Sequence, residues 1–224
     1  MNLDAYFART GFSGATACTV DTLNRLALAH VKSIPFENLD VLLNRPISLD
    51  DAAVDGKLIT RQRLKELNQA LMVGYNVERA RLMPHVESYA DKVIAANVRQ
   101  GALAQIAQDR ADGYTLVLAT ASYRLYVEPI ARRLGFDAVI ATDHLSQDLR
   151  YVRAKIAGEN CYDTGKLRMI KAWMAARAID RSDAHIRAYS DHVSDAPMLE
   201  FADLPFAANP HRRLALLAQA RGWP

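Results

Sequence analysis

Five side chains set the chemical question. Thr120 and Ser122 are hydroxyls that follow a short apolar, β-branched run; Lys166 opens a helical run; Asp191 and Asp195 are carboxylates four residues apart, after another β-like run. A hydroxyl with helix N-terminal amides beside it suits one anionic oxygen, an ammonium suits a second, and paired carboxylates suit a hard cation. Together they describe a phosphate and magnesium constellation. Each type is commonplace alone, as a helix cap, a solvated lysine or a turn. The reading rests on their order and on their common place after strands, where open α/β sheets collect ligands.

The elements that must position them can be read from periodicity. Thr60 to Val98 has helical spacing, with Leu64, Leu67 and Leu71 on one face and Val86, Tyr89, Val93 and Asn97 on another. Gly74 and Pro84 mark breaks in it. Thr115 to Ala119 reads as a strand, Tyr123 to Leu134 as a helix ended by Gly135, and Ala138 to Ala141 as a second strand. Tyr151 to Ile156 forms a hairpin-like excursion, and Lys166 to Ala178 a helix with Leu167, Ile170 and Trp173 on one side. Ile186 to Tyr189 and Phe206 to Ala208 supply two more strands before a closing helix from Pro210 to Ala220. Strand alternating with helix is the unit of a parallel sheet, so the expected class is α/β, a doubly wound sheet cropped at its start.

Composition narrows the function classes. With 28 basic and 25 acidic residues interspersed along the chain, there is no basic stripe for nucleic acid. The longest apolar runs fall far below the roughly 20 residues that span a bilayer, so no membrane segment is expected. The first 30 residues lack the pattern of a secretory signal, which makes the expected location cytoplasmic. Cys18 and Cys161 lie in no CxxC or Cys/His cluster and read as two buried thiols.

The segments Tyr114 to Tyr123 (YTLVLATASY), Gly165 to Ile170 (GKLRMI), Tyr189 to Leu199 (YSDHVSDAPML) and Ala208 to Pro210 (ANP) resemble those of haloacid dehalogenase-like hydrolases, in the branch similar to phosphoserine phosphatase. The resemblance implies that Thr120 binds the phosphoryl group with Ser122 beside it. It implies that Lys166 neutralises charge and orients the nucleophile, that Asp191 holds magnesium, and that Asp195 supports the metal site. It also implies that the helical run 60–105 is a cap-like region and 106–224 the α/β core. The family's nucleophile, an aspartate in a DxDx(T/V) motif after a first strand, has no counterpart. The nearest string, Ala53-Val54-Asp55-Gly56-Lys57-Leu58, has Ala at the nucleophile position and no apolar strand before it.

Residues 1–58 resemble a different family. Met1 to Gly14, His30 to Leu43 (HVKSIPFENLDVLL) and Arg45 to Leu58 are similar to the start of a bacterial arylamine N-acetyltransferase, with IPFENLD the most specific part. In that family Phe36 and its neighbours border the arylamine pocket, and the catalytic cysteine follows soon afterwards. Here Thr60-Arg61-Gln62-Arg63-Leu64 follows instead, and the downstream His and Asp of the triad have no counterparts. Cys18 has neither a His nor a cation near it to activate a thiolate. His192 reads as a surface loop residue rather than a base for Asp191.

The expected organisation is therefore a helical acetyltransferase-like segment, 1–58, joined to a hydrolase-like part, 59–224, that lacks its first strand. The expected function is that of a magnesium-dependent phosphatase type acting on a small phosphorylated metabolite, impaired or inactive for want of the nucleophile. The rivals are a non-catalytic phosphate or metal-binding module and an acetyltransferase remnant. Magnesium binding is expected to be weak. Because the lost strand of such folds is central, two inner edges are expected to recruit residues 38–43 or to drive self-association.

Overall fold

The computed structural model describes residues 60–224 except Gln147. The expectations placed on residues 1–59, including the acetyltransferase-like helices, the candidate strand 38–43, Cys18 and Asp55, lie outside the described residues. In chain order the elements are α1 (Arg61–Met72), β1 (Asn76–Glu78), α2 (Arg79–Asn97), α3 (Gln100–Ala111), β2 (Val117–Tyr123), α4 (Arg124–Leu134), β3 (Ala138–His144), β4 (Tyr151–Arg153) and β5 (Ile156–Ala157), then α5 (Thr164–Ala175), β6 (Arg187–Ser190), α6 (Ala196–Phe201), β7 (Leu204–Ala207) and α7 (Arg212–Arg221). Among the described residues the contacts form two units, 60–85 with 144–156, and 86–143 with 157–224.

In the first unit Thr60 caps α1, its Oγ1 accepting from the Arg63 amide at 3.1 Å, and Leu64, Leu67 and Ala70 are buried. β1 and β4 pair antiparallel with Val77 opposite Val152, both buried. No local pattern announces this pair: Asn-Val-Glu is too short to show a period, and its partner lies some 75 positions away. Pro84, expected as a break, lies inside α2. It sits early enough that the single missing backbone bond frees only the carbonyl of exposed Ala80, so the helix runs through it.

The second unit holds the open α/β layer. β2 and β3 are parallel from Val117↔Ala138 to Thr120↔Ala141, with β5 on the far side of β3. β6 and β7 form a separate parallel pair from Arg187↔Leu204 to Ser190↔Ala207. Ala188, Leu199 and Leu214 are the buried centre beneath β6 and β7, with Val193, Met198 and Trp223 packed on them. α4 buries Leu125, Val127 and Ala131, and ends at Gly135 in the left-handed conformation (φ 75°), as its position in the sequence predicts.

Among the described residues no strand joins β2 to β6. A cleft of about 1420 Å³ lies there, lined by residues such as Leu116, Leu118, Ile170, Trp173, Ala188 and Phe206. α3 is tied to β6 beside this cleft: Arg187 Nη1 meets Asp109 Oδ1 at 2.7 Å and Asp112 Oδ2 at 2.8 Å, while the Tyr189 hydroxyl donates to Asp109. Burial, with Asp109 adding to it, pushes the Tyr189 phenol up to about 12. No helix among the described residues is long and apolar enough to cross a membrane.

Candidate functional site

β2 runs further than its apolar run suggests, so Thr120 and Ser122 lie within the strand and not after it. The pairing explains this. Thr120 faces Ala141 and Tyr123 faces Thr142, so Ala121 and Ser122 bulge out of register. A bulge strands backbone groups, and two of them find side-chain partners here. Thr120 Oγ1 accepts from the Ser122 amide at 3.1 Å, and the Ala121 carbonyl accepts from Thr142 Oγ1 at 2.9 Å. The Ser122 hydroxyl is hydrogen-bonded to Tyr126, whose phenol burial pushes above its ordinary value.

Lys166 stands in the first turn of α5 and is 6% exposed. Burying an ammonium requires a partner, and the partner is Asp195, whose Oδ1 lies 2.6 Å from Nζ. The other carboxylate oxygen accepts from Ser190 Oγ at 2.7 Å, and Ser190 Oγ accepts from the His192 amide at 3.2 Å. The chain reaches Lys166 through a tight loop. Asp163 takes φ 53°, a conformation few non-glycine residues adopt. A Cβ on Gly165 would stand 2.7 Å from the Asn160 carbonyl oxygen, so only glycine lets the loop lie against the helix start. α5 packs against β2, which brings the element carrying Lys166 to the strand carrying Thr120.

Asp191 is placed differently. Its side chain is 63% exposed, and its ionic neighbour is His211, with Nε2 at 3.9 Å from Oδ2. The Asp191 carbonyl accepts from the His211 amide at 2.8 Å, which folds the loop after β7 onto the loop after β6. His192 is an exposed loop residue whose Nδ1 accepts from the Ser194 amide at 3.1 Å. Of the five residues singled out in the sequence, Lys166 and Asp195 are in direct contact, Thr120 and Ser122 share one bulge, and Asp191 faces His211.

Sequence reasoning placed Ser190 beside Asp191 after its strand without giving it a role, and it passed over Thr142, Asn160 and Gly165. Ser190 and Gly165 immediately precede Asp191 and Lys166 in the segments quoted above, so a local signal existed. Thr142 and Asn160 act through pairing across strands, which no local pattern reveals. Cys161 is buried and donates weakly to the Ile140 carbonyl, the buried-thiol role expected of it.

Magnesium, which the family resemblance implies, can be tested against these donors. Both oxygens of Asp195 are engaged by Lys166 and Ser190, Asp191 stands exposed, and no group of three or more His, Cys, Asp or Glu side chains gathers among the described residues. A magnesium ion wants near-octahedral oxygen ligands, and the described donors do not make that set by themselves.

The sequence matches the family described as haloacid dehalogenase-like hydrolase over residues 16–200. The match begins inside the segment that resembles an acetyltransferase. The inhibition of morphological differentiation protein of Streptomyces azureus is 31% identical over 163 residues, 73% of this chain and 57% of that protein. The arylamine N-acetyltransferase of Escherichia coli K12 is 52% identical over 61 residues, 27% of this chain and 22% of the enzyme. The chain thus spans little more than half of the first relative and under a quarter of the second. Among solved structures, a protein of unknown function from Bordetella pertussis Tohama I superposes with a TM-score of 0.70 at 28% identity, over 97% of this chain and 86% of that one. A phosphoserine phosphatase solved as a phospho-aspartyl intermediate analogue superposes at 0.52 with 17% identity, over 88% and 82%, a likeness of fold.

Proposed function

Because this chain belongs to the haloacid dehalogenase-like hydrolase family, we propose that Thr120, Ser122 and Lys166 form the phosphate-binding part of a phosphomonoesterase-type site that turns over little or not at all. The observation that carries the reading is Lys166, an ammonium kept at 6% exposure at the start of α5 and held by Asp195, a carboxylate in the turn between β6 and α6. A buried cation with one fixed anion is costly to keep for packing alone. In this reading Lys166 attracts phosphoryl oxygens, Thr120 donates to one of them, and Ser122, turned toward Tyr126, shapes the bulge. Asp191 is the carboxylate left to meet a cation, and magnesium binding is correspondingly weak. The proposed organisation is the one expected from the sequence, with 1–58 acetyltransferase-like, 60–105 cap-like and 106–224 the core.

Charge stabilisation of this kind supplies about 3 kcal/mol per donor. Hydrolysis of a phosphate monoester needs a barrier reduction above ~20 kcal/mol. Without a nucleophile, which neither the DxD position nor any described residue supplies by motif, the sum cannot be reached. The purified chain, given p-nitrophenyl phosphate and magnesium, is expected to release no p-nitrophenol above background, yet to bind inorganic phosphate in a manner lost in Lys166→Met. Robust hydrolysis abolished by Asp191→Ala or Asp55→Ala would overturn the reading and mean that Asp55 or an unrecognised carboxylate acts as the nucleophile.

A second reading, a non-catalytic phosphate-binding module that self-associates, is favoured by the separation of β2 from β6 among the described residues. Such edges present rows of backbone donors and acceptors that seek partners.

A further inference from the structure

We infer that Thr142 is a positioning residue that sets the hydroxyl bulge of β2 and the loop before Lys166 in register with each other. The inference rests on the phosphate-binding reading above and adds to it a group that touches no ligand. Thr142 is fully buried in β3. Among the described residues its Oγ1 donates to the Ala121 carbonyl at 2.9 Å, accepts from the Cys161 amide at 3.1 Å, and lies 3.0 Å from Asn160 Oδ1. A hydroxyl has one proton and two lone pairs. All three contacts reach full strength when the Asn160 amide turns its NH2 toward Oγ1, an orientation that depends on assignment of the amide.

The two ends of this junction are the two halves of the site. Ala121 sits between Thr120 and Ser122 in the bulge, and its carbonyl accepts from Thr142 Oγ1. Asn160 and Cys161 begin the loop whose turns run on to Lys166: the Tyr162 amide donates to Asn160, the Gly165 amide to Tyr162, and the Lys166 amide to Asp163 at 3.0 Å. The Asn160 carbonyl is also the atom that forbids a side chain at Gly165. One buried hydroxyl therefore sets the height of the Thr120 bulge against the start of α5. Two segments packed this closely have discrete arrangements, and losing the junction lets them choose separately.

The test uses the full chain with Thr142→Val, which keeps shape and removes the hydroxyl, and Thr142→Ser, which keeps the hydroxyl. Amide exchange in the absence of ligand is followed at Ser122 and Lys166, neither of which bonds to Thr142, and inorganic phosphate affinity is measured by calorimetry. Thr142→Val should speed exchange at both amides about tenfold, leave Leu199 and Leu214 unchanged, and weaken phosphate about tenfold. Thr142→Ser should restore all three to within about twofold. If Thr142→Val fails to fold, Asn160→Ala, which removes the loop's side of the junction, should give the same paired acceleration. Unmoved exchange at Ser122 and Lys166, or a serine variant as impaired as the valine one, overturns the inference. Wild-type protein that binds no phosphate overturns the functional reading instead, and the exchange comparison then decides the role of Thr142 by itself.

Discussion

Replacing Asp195 by asparagine removes the charge opposite Lys166 while keeping an oxygen for Ser190. The pair is 2.6 Å apart, with side chains 7% and 13% exposed, so solvent screens it little. Breaking one partner of such a pair typically costs about 3–5 kcal/mol, because the remaining charge stays buried. Since the substituted side-chain amide can still accept from Ser190, the lower end applies, about 3 kcal/mol. Both tryptophans of the sequence, Trp173 and Trp223, belong to the second unit, so fluorescence during urea unfolding reads this unit. With a slope near 2 kcal/mol/M the midpoint should fall by about 1.5 M. The exposed pair Arg168–Glu159, 62% and 40% exposed, is the control: Glu159→Gln should cost no more than about 1 kcal/mol. A double substitution, Lys166→Met with Asp195→Leu, should regain at least half of the loss, since an apolar pair carries no desolvation penalty. A loss below about 1 kcal/mol for Asp195→Asn, the range of an exposed pair, would refute the claim that Lys166 is held by charge in a dry site.

Two further outcomes follow from the same structure. Burial, with Lys65 and Arg79 adding to it, pulls the His144 imidazole down to about 4; a depressed value means that the unfolded chain takes up the proton first, so stability is intact above about 6.5 and declines as pH falls toward 4. Nuclear magnetic resonance titration should place the midpoint near 4, and His144→Gln should flatten the slope of stability between those limits. If β2 and β6 lack a partner strand in the monomer, sedimentation should show concentration-dependent association that Leu118→Lys weakens; a single monomeric species at all concentrations argues against it.

How much was legible depended on whether the cause was local. α4 and its stop at Gly135 follow from apolar spacing and a left-handed glycine, and both stand where the sequence puts them. β2 was expected over 115–119 and runs Val117–Tyr123, because the bulge keeps Tyr123 opposite Thr142 after the apolar run has ended. The α5 helix was expected from Lys166 to Ala178 and spans Thr164–Ala175, since the Asp163 and Gly165 backbone starts it earlier. β1 with β4, and Pro84 within α2, could not be read locally: a three-residue strand exists only through its partner, and a proline's cost depends on which carbonyl it leaves free. At the site, residue types and their order suggested phosphate chemistry. The contact that makes Asp195 the companion of Lys166, and leaves Asp191 beside His211, emerges only once the chain is folded.

In the proposed reading, the way the site is held would let binding persist without chemistry. Thr120 and Ser122 take their positions from β3, through the ladder and Thr142, while Asp195 takes its position from Ser190 on β6. β2 pairs with β3 and β6 with β7, so each half has its own hydrogen-bonded neighbour. Lys166 is fixed by the loop from Asn160 and by Asp195, again without a described strand between β2 and β6. The groups proposed to attract and orient an oxyanion are thus anchored on or beside the flanking strands, each needing only local partners. The family resemblance implies a nucleophile on a strand between them, and its attack would demand placement to within a fraction of an ångström. Electrostatic attraction falls off slowly with distance and tolerates small shifts, whereas in-line attack does not. In the proposed reading, lack of that strand would remove the step with the strictest geometry and leave the one with the loosest.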